Sequence, residues 1–252
     1  MSPEAYEALE AAAFASLPAL EPEEMVQGWR LRVSSGCSKR ANSANSTLAS
    51  VDISEVQIAD IEARYRQRGL SAIFRLTSMA TPQNVDNSLA LRGYSVIDPS
   101  WVMVLPAFSA TAVESSVRLM NIDAWSTALL RISGGSRSTL GVYLQMLRLI
   151  KGPCAFTVAH LNDDPVCAGL GVITAGKLGL FDIATAAAQR QKGWATSLCS
   201  SLLAWGKQAG AESAYLQVTA SNASAIRVYE KLGFQRAYHY WYRVGAPSSV
   251  ME

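Results

Sequence analysis

The sequence predicts an α/β (α+β) chain with a mixed, mainly antiparallel central sheet flanked by helices, laid down as two copies in tandem. Three observations carry this expectation. Residues 155–185 divide into three strands joined by two hairpin turns, Asn162-Asp163-Asp164-Pro165 and Thr174-Ala175-Gly176. Residues 178–234 then read as strand, basic turn, helix, strand, helix. An earlier stretch repeats that order: 67–77 parallels 208–219, and Leu91-Arg92-Gly93-Tyr94 parallels Lys231-Leu232-Gly233-Phe234.

In chain order, residues 2–17 are Ala-rich with Pro3 at the start and Pro18 at the end, the positions where proline opens and stops a helix. Residues 26–33 read as one strand, followed by a Ser34-Ser35-Gly36 turn. The polar run 37–46 is either a solvated hairpin edge or part of a binding surface. A helix over 54–68 carries Val56, Ile58, Ile61 and Tyr65 at helical spacing and ends at Gly69. A strand at 71–76, a helix at 82–91 and a strand at 101–105 complete the first copy.

Residues 106–117, rich in Pro, Ser, Thr and Ala, read as a linker between domains at 1–110 and 116–252. The second copy opens with helices near 122–132 and 138–150, broken by Ser133-Gly134-Gly135-Ser136. The three strands and the repeated unit follow.

Composition excludes several classes. Half of the 252 residues are apolar and the formal charge is +2, so a sizeable core is easily built and an electrostatic nucleic-acid binder is not indicated. Cys37, Cys154, Cys167 and Cys199 form no CxxC pair, and His160 and His239 are the two histidines, so neither a disulfide framework nor a metal site is expected. The N-terminus lacks a basic segment and a clean apolar run, and no stretch is long enough to span a bilayer; the expected location is cytoplasmic, without a membrane partner.

The chemistry concentrates in one turn. The helix expected at 193–206 follows the strand 178–185, and its first backbone N–H groups have no intrahelical partner, so a phosphate is favoured there. Gly193 keeps the backbone bare toward a ligand, Ala195 is nearly as small, and Arg190 and Lys192 supply positive charge. Further on, Asn222, Ala225, Ile226 and Tyr229 are spaced i, i+3, i+4 and i+7, which places Asn222 and Tyr229 on one helical face.

With Arg190-x-x-Gly193-x-Ala195 and Asn222-x-x-Ala225-x-x-x-Tyr229-x-x-x-Gly233-Phe234 in hand, residues 122–244 resemble the GNAT acetyltransferase superfamily. The resemblance implies a GNAT fold and acetyl-CoA as cosubstrate, its pyrophosphate held by the turn from Arg190 through Gln191, Lys192, Gly193, Trp194 and Ala195 to Thr196. It also implies that Ile183, Ala184 and Thr185 pair with the pantetheine arm and that Asn222 helps hold the cofactor. Tyr229 is then the candidate acid near the sulfur, and the backbone N–H at Ile183 the oxyanion donor. Two departures stand out: Ala187 where the family often has proline, and Ala195 at the second glycine.

The expected function is therefore acetyl-CoA-dependent N-acetyl transfer to a primary amine, a small molecule or peptide, by direct attack in a ternary complex. A non-catalytic acyl-CoA-binding regulatory protein is the alternative, and a homodimer is left open. No general base is evident: strict alternation puts Asp182 on the face opposite Phe181 and Ile183, as an exposed or structural carboxylate, and an ordered water could serve. The first copy lacks the Gly and the basic residues, and Asp52 would repel phosphate, so it is not expected to bind CoA. Arg40, Asn42 and Asn45 are expected to border the acceptor pocket.

Overall fold

A computed structural model describes residues 1–50, 53–82, 84–109, 114, 116–134 and 137–245, with backbone alone at 137–139. Its seven α-helices and eleven strands build one mixed, mostly antiparallel sheet with helices on both faces. The first part runs α1 (Pro3–Ala15), β1 (Glu24–Val26), β2 (Trp29–Leu31), β3 (Ala44–Ser46), α2 (Glu55–Arg66), β4 (Ile73–Thr77), α3 (Val85–Leu91) and β5 (Ser95–Leu105). The second runs β6 (Val117–Met120), α4 (Ile122–Ser133), α5 (Arg137–Arg148), β7 (Cys154–Leu161), β8 (Asp164–Thr174), β9 (Lys177–Thr185), α6 (Trp194–Gln208), β10 (Ser213–Thr219), α7 (Ala223–Lys231) and β11 (Gln235–Val244).

Local signals in the sequence explain most of these elements. Ser54 caps α2 in a reciprocal capping box with Gln57, and Gly69 and Gly93 close the helices before them with positive φ. Asn162-Asp163 and Ala175-Gly176 all have positive φ, as two-residue hairpin turns of type I′ require.

Two expectations are corrected here. Residues 26–33 are two short strands, because Gln27 and Gly28 both take positive φ and fold the run into a hairpin. The run 37–46 is no solvated edge: β3 lies inside the sheet between β2 and β4, and Asn42, Ser43, Asn45 and Ser46 are buried. The last linker residue, Val117, opens β6, which pairs with β7 at the sheet edge. Asp52, residues 110–113, Ser115, Gly135 and Ser136, which carried part of the linker, turn and phosphate-repulsion expectations, lie outside the described residues.

The strand order, β1-β2-β3-β4-β11-β5-β10-β9-β8-β7-β6, interleaves the two parts at the centre. The C-terminal strand β11 sits between β4 and β5, and β5 in turn pairs with β10. Alternate residues of β8 feed separate cores: Ala168, Leu170 and Val172 pack with α1, α4 and α5, while Cys167 and Ile173 pack with α6 and α7. A third core lies under α2 and α3. Across the interleaved strands, Glu10 on α1 takes a bidentate pair from Arg75 on β4 (2.6 and 3.0 Å) and a hydrogen bond from the Tyr238 hydroxyl on β11.

Candidate active site

The parallel pairing of β9 with β10 extends from Lys177↔Ser213 to Leu180↔Leu216 and stops there, although both strands continue. The gap that opens leads to a cleft of about 760 Å³. Its wall on one side is the end of β9, Ile183, Ala184 and Thr185; on the other it is α7, with Asn222, Ala225, Arg227, Tyr229 and Lys231. The floor is the turn into α6: Arg190, Gln191, Gly193, Trp194, Ala195 and Thr196.

The turn's geometry follows from its sequence. Gln191 and Gly193 both hold positive φ (61° and 87°), so the chain reverses twice before the helix begins. The first helical bond at this end runs from Ser197 N–H to the Gly193 carbonyl at 3.0 Å, so the N–H groups of Trp194, Ala195 and Thr196 have no acceptor within the helix. A Cβ built on Gly193 meets nothing within 4 Å, so the space in front of the turn is open. These donors, the helix end and the cleft-lining Arg190, Arg227 and Lys231 together suit a polyanionic ligand. Lys192 alone among the expected binding residues does not line the cleft; it is exposed, and its Nζ donates to Gln189 Oε1 at 3.1 Å.

Asn222 and Tyr229 share a face of α7 and both reach the cleft. Asn222 caps the helix, its Oδ1 accepting from Ala225 N–H at 3.1 Å and from Ser224 Oγ at 3.0 Å. The Tyr229 ring is buried edge-on against Phe234, and burial, with Cys199 and Cys167 nearby, pushes its phenol far above the ordinary tyrosine value. It therefore stays protonated at any physiological pH.

Asp182 departs from its expected orientation. In β9 the register against β8 passes from Leu170↔Phe181 to Ala168↔Ala184, so Asp182 and Ile183 together oppose Gly169, and Asp182 has φ 53°. This β-bulge breaks the alternation on which the expectation rested. The carboxylate instead accepts a 2.5 Å hydrogen bond from the Tyr143 hydroxyl on α5. Burial pushes the Asp182 carboxyl up, against the opposing pull of the Tyr143 hydrogen bond and the Arg40 charge, and the net position is above the usual carboxylate value. Gly169 gives its carbonyl to Thr157 Oγ1 and Trp125 Nε1, and any Cβ there would meet the Leu198 and Ile183 side chains at 2.5 and 2.6 Å.

From the first part of the chain Arg40 reaches this cluster; its guanidinium lies 5.3 Å from the Phe181 ring centroid. Asn42 and Asn45 do not: both are buried and spend their carboxamides on backbone groups, Asn42 on Ser34, Gly36, Cys37 and Ser38 and Asn45 on Arg30 and Ser43. His160 and His239 lie away from the cleft lining, His239 stacked on Trp241 and edge-on to Trp101. Sequence reasoning missed Tyr143, which carries no local signal, and the pair Arg227 and Lys231, whose i, i+4 spacing on the helix of Tyr229 could have revealed it. Among the described residues no cluster of metal-ligating side chains occurs, no disulfide forms, and no helix is long and apolar enough to cross a membrane.

A splayed pair of central strands above a helix-opening turn, within a mostly antiparallel sheet, defines the molecule as a GNAT-superfamily N-acetyltransferase. More narrowly, the chain belongs to the family described as "Probable histone acetyltransferase Rv0428c C-terminal", whose model matches residues 5–243. It is 28% identical to "Uncharacterized N-acetyltransferase YobR" of Bacillus subtilis (strain 168), over 94% of this chain and 97% of that one. Among solved structures it resembles a GCN5-related N-acetyltransferase from Kribbella flavida (TM-score 0.70, 14% identity, 99% and 97% coverage). It also resembles a tandem GNAT protein from the clavulanic acid biosynthesis pathway (TM-score 0.55, 14% identity, 77% and 70% coverage).

Proposed function

We propose that the protein moves an acetyl group from acetyl-CoA to a primary amine, both bound at once, with the chemistry at the end of β9. The observation that carries this reading is the β9/β10 gap opening directly onto the unbonded N–H groups at the start of α6. Those groups, with Arg190, Arg227 and Lys231, hold the pyrophosphate, while Ile183, Ala184 and Thr185 offer backbone partners beyond the point where β10 leaves them. Bound acetyl-CoA supplies the thioester.

The chain's own residues then divide the proton work. Asp182, held up in pKa and fixed by Tyr143, takes a proton from the acceptor's ammonium group. The Ile183 N–H meets the negative charge developing on the carbonyl oxygen, and the neutral Tyr229 phenol gives its proton to the departing thiolate and regains one from the second proton that the attacking nitrogen sheds as the amide forms. Saturating acetyl-CoA should raise the melting temperature, Gly193→Glu should abolish that shift by placing a carboxylate at the phosphate turn, and an amine panel should release free thiol. A parent protein that shows no shift removes the cofactor assignment. A shift without thiol release from any amine leaves an acyl-CoA-binding protein instead of an enzyme.

A further inference from the structure

Beside Asp182 the fold holds a cation, Arg40, whose charge acts on that carboxylate without a direct ion pair. Arg40 leans on Phe181, the residue before Asp182, and Asp182, Tyr143, Tyr240 and Tyr242 are near enough for their charges to act on it. Among the described residues its guanidinium donates no hydrogen bond and contacts no carboxylate within ion-pair distance. Arg40 is partly exposed, and the fold treats its fully buried guanidiniums differently. Arg32 gives hydrogen bonds to Glu23 and to the carbonyls of Phe14, Leu17 and Arg40, and Arg75 takes both oxygens of Glu10.

The position of Arg40 is also fixed in advance. Arg32 Nη1 holds its carbonyl at 2.8 Å, and the buried Asn42 ties residues 34–38 into one loop. A guanidinium on an anchored main chain, with open donors, set against an aromatic ring near a carboxylate, is complementary to a molecule that carries both charges.

We propose that Arg40 binds the carboxylate of the acceptor while Asp182 receives its amine, so that the acceptor is of the amino-acid class, a primary amine with a carboxylate a few bonds away. This rests on the acetyl-transfer reading above. A lysine on a basic peptide fits poorly, because it brings further positive charge against the Arg40 cation.

The test compares acetylation of the L-amino acids with that of the amines left when each is decarboxylated, and with a lysine-rich peptide. At least one amino acid should exceed its decarboxylated amine about tenfold or more in kcat/KM. Arg40→Gln should reduce that ratio about tenfold, mainly through KM, and Arg40→Lys should restore it in part, since charge returns without the fork. If Arg40→Gln does not fold, the partial loss in Arg40→Lys carries the test. The proposal is overturned if amines without a carboxylate react as well as the acids, if the preference survives both variants, or if the lysine-rich peptide is the best acceptor. It also falls if nothing in the panel reacts; a retained thermal shift with acetyl-CoA would then show that the cofactor site stands and the acceptor class is wrong.

Discussion

The hydroxyl of Tyr143, on α5, donates a 2.5 Å hydrogen bond to the carboxylate of Asp182, which a β-bulge in β9 turns toward it. This contact joins α5 to the strand whose end lines the cleft. It fixes one oxygen of the carboxylate.

Because burial holds the Asp182 carboxyl above its ordinary value, the fraction ionised falls at a higher pH than for an exposed aspartate. The acid limb of kcat/KM should therefore sit above the usual carboxylate range, with activity rising as pH rises through it. Asp182→Asn should reduce kcat/KM about 10² to 10⁴-fold and erase that limb. A pH profile that is the same in the variant would exclude Asp182 as the base.

Tyr143→Phe tests the same contact from the other side. The Tyr143 hydrogen bond pulls the Asp182 carboxyl down, so its loss should move the acid limb to higher pH while acetyl-CoA still raises the melting temperature. An unmoved limb with intact folding would mean that Tyr143 only packs.

Tyr229→Phe keeps the ring packing against Phe234 and removes the proton. We expect kcat to fall about 10²-fold, with the acetyl-CoA thermal shift unchanged. Equal kcat in the variant and the parent would assign Tyr229 to packing alone.

Glu10→Gln leaves Arg75 without its counter-charge at a site where both side chains are buried, 2% and 6% exposed. Removing one partner of such a pair costs about 3–5 kcal/mol, readable as a lower denaturant midpoint. A loss under about 1 kcal/mol would show that Tyr238 and bound water compensate for it.

Gly193→Ala isolates the backbone of the phosphate turn. Open space receives the methyl group, but φ of 87° is a left-handed conformation, so the strain is about 1–2 kcal/mol and should appear as weaker acetyl-CoA binding or a lower melting temperature. Wild-type values for both would show that the turn tolerates a side chain.

Much of the donor side was legible in the sequence because its determinants are local. The turn from Arg190 to Thr196 is contiguous, and Asn222 and Tyr229 share a helical face by their spacing alone. The hairpins at Asn162-Asp163 and Ala175-Gly176 and the helix-closing glycines announce themselves through residue types that tolerate positive φ. The acceptor side was legible only in part. Asp182 read as an outward residue because alternation assumes an unbroken ladder, and the polar run 37–46 read as surface because nothing local shows that β3 is covered on both sides.

The sequence by itself determined the fold class and the anion-binding turn, since both depend on backbone conformations that a few neighbouring residues dictate. Tertiary structure alone decided what gathers near Asp182. Arg40, Tyr143, Asp182 and Tyr240 lie far apart along the chain, and they meet because β5 and β11 interleave the two parts of the sheet and a bulge rotates one aspartate inward. No local pattern encodes such a meeting, because the packing of distant elements fixes it.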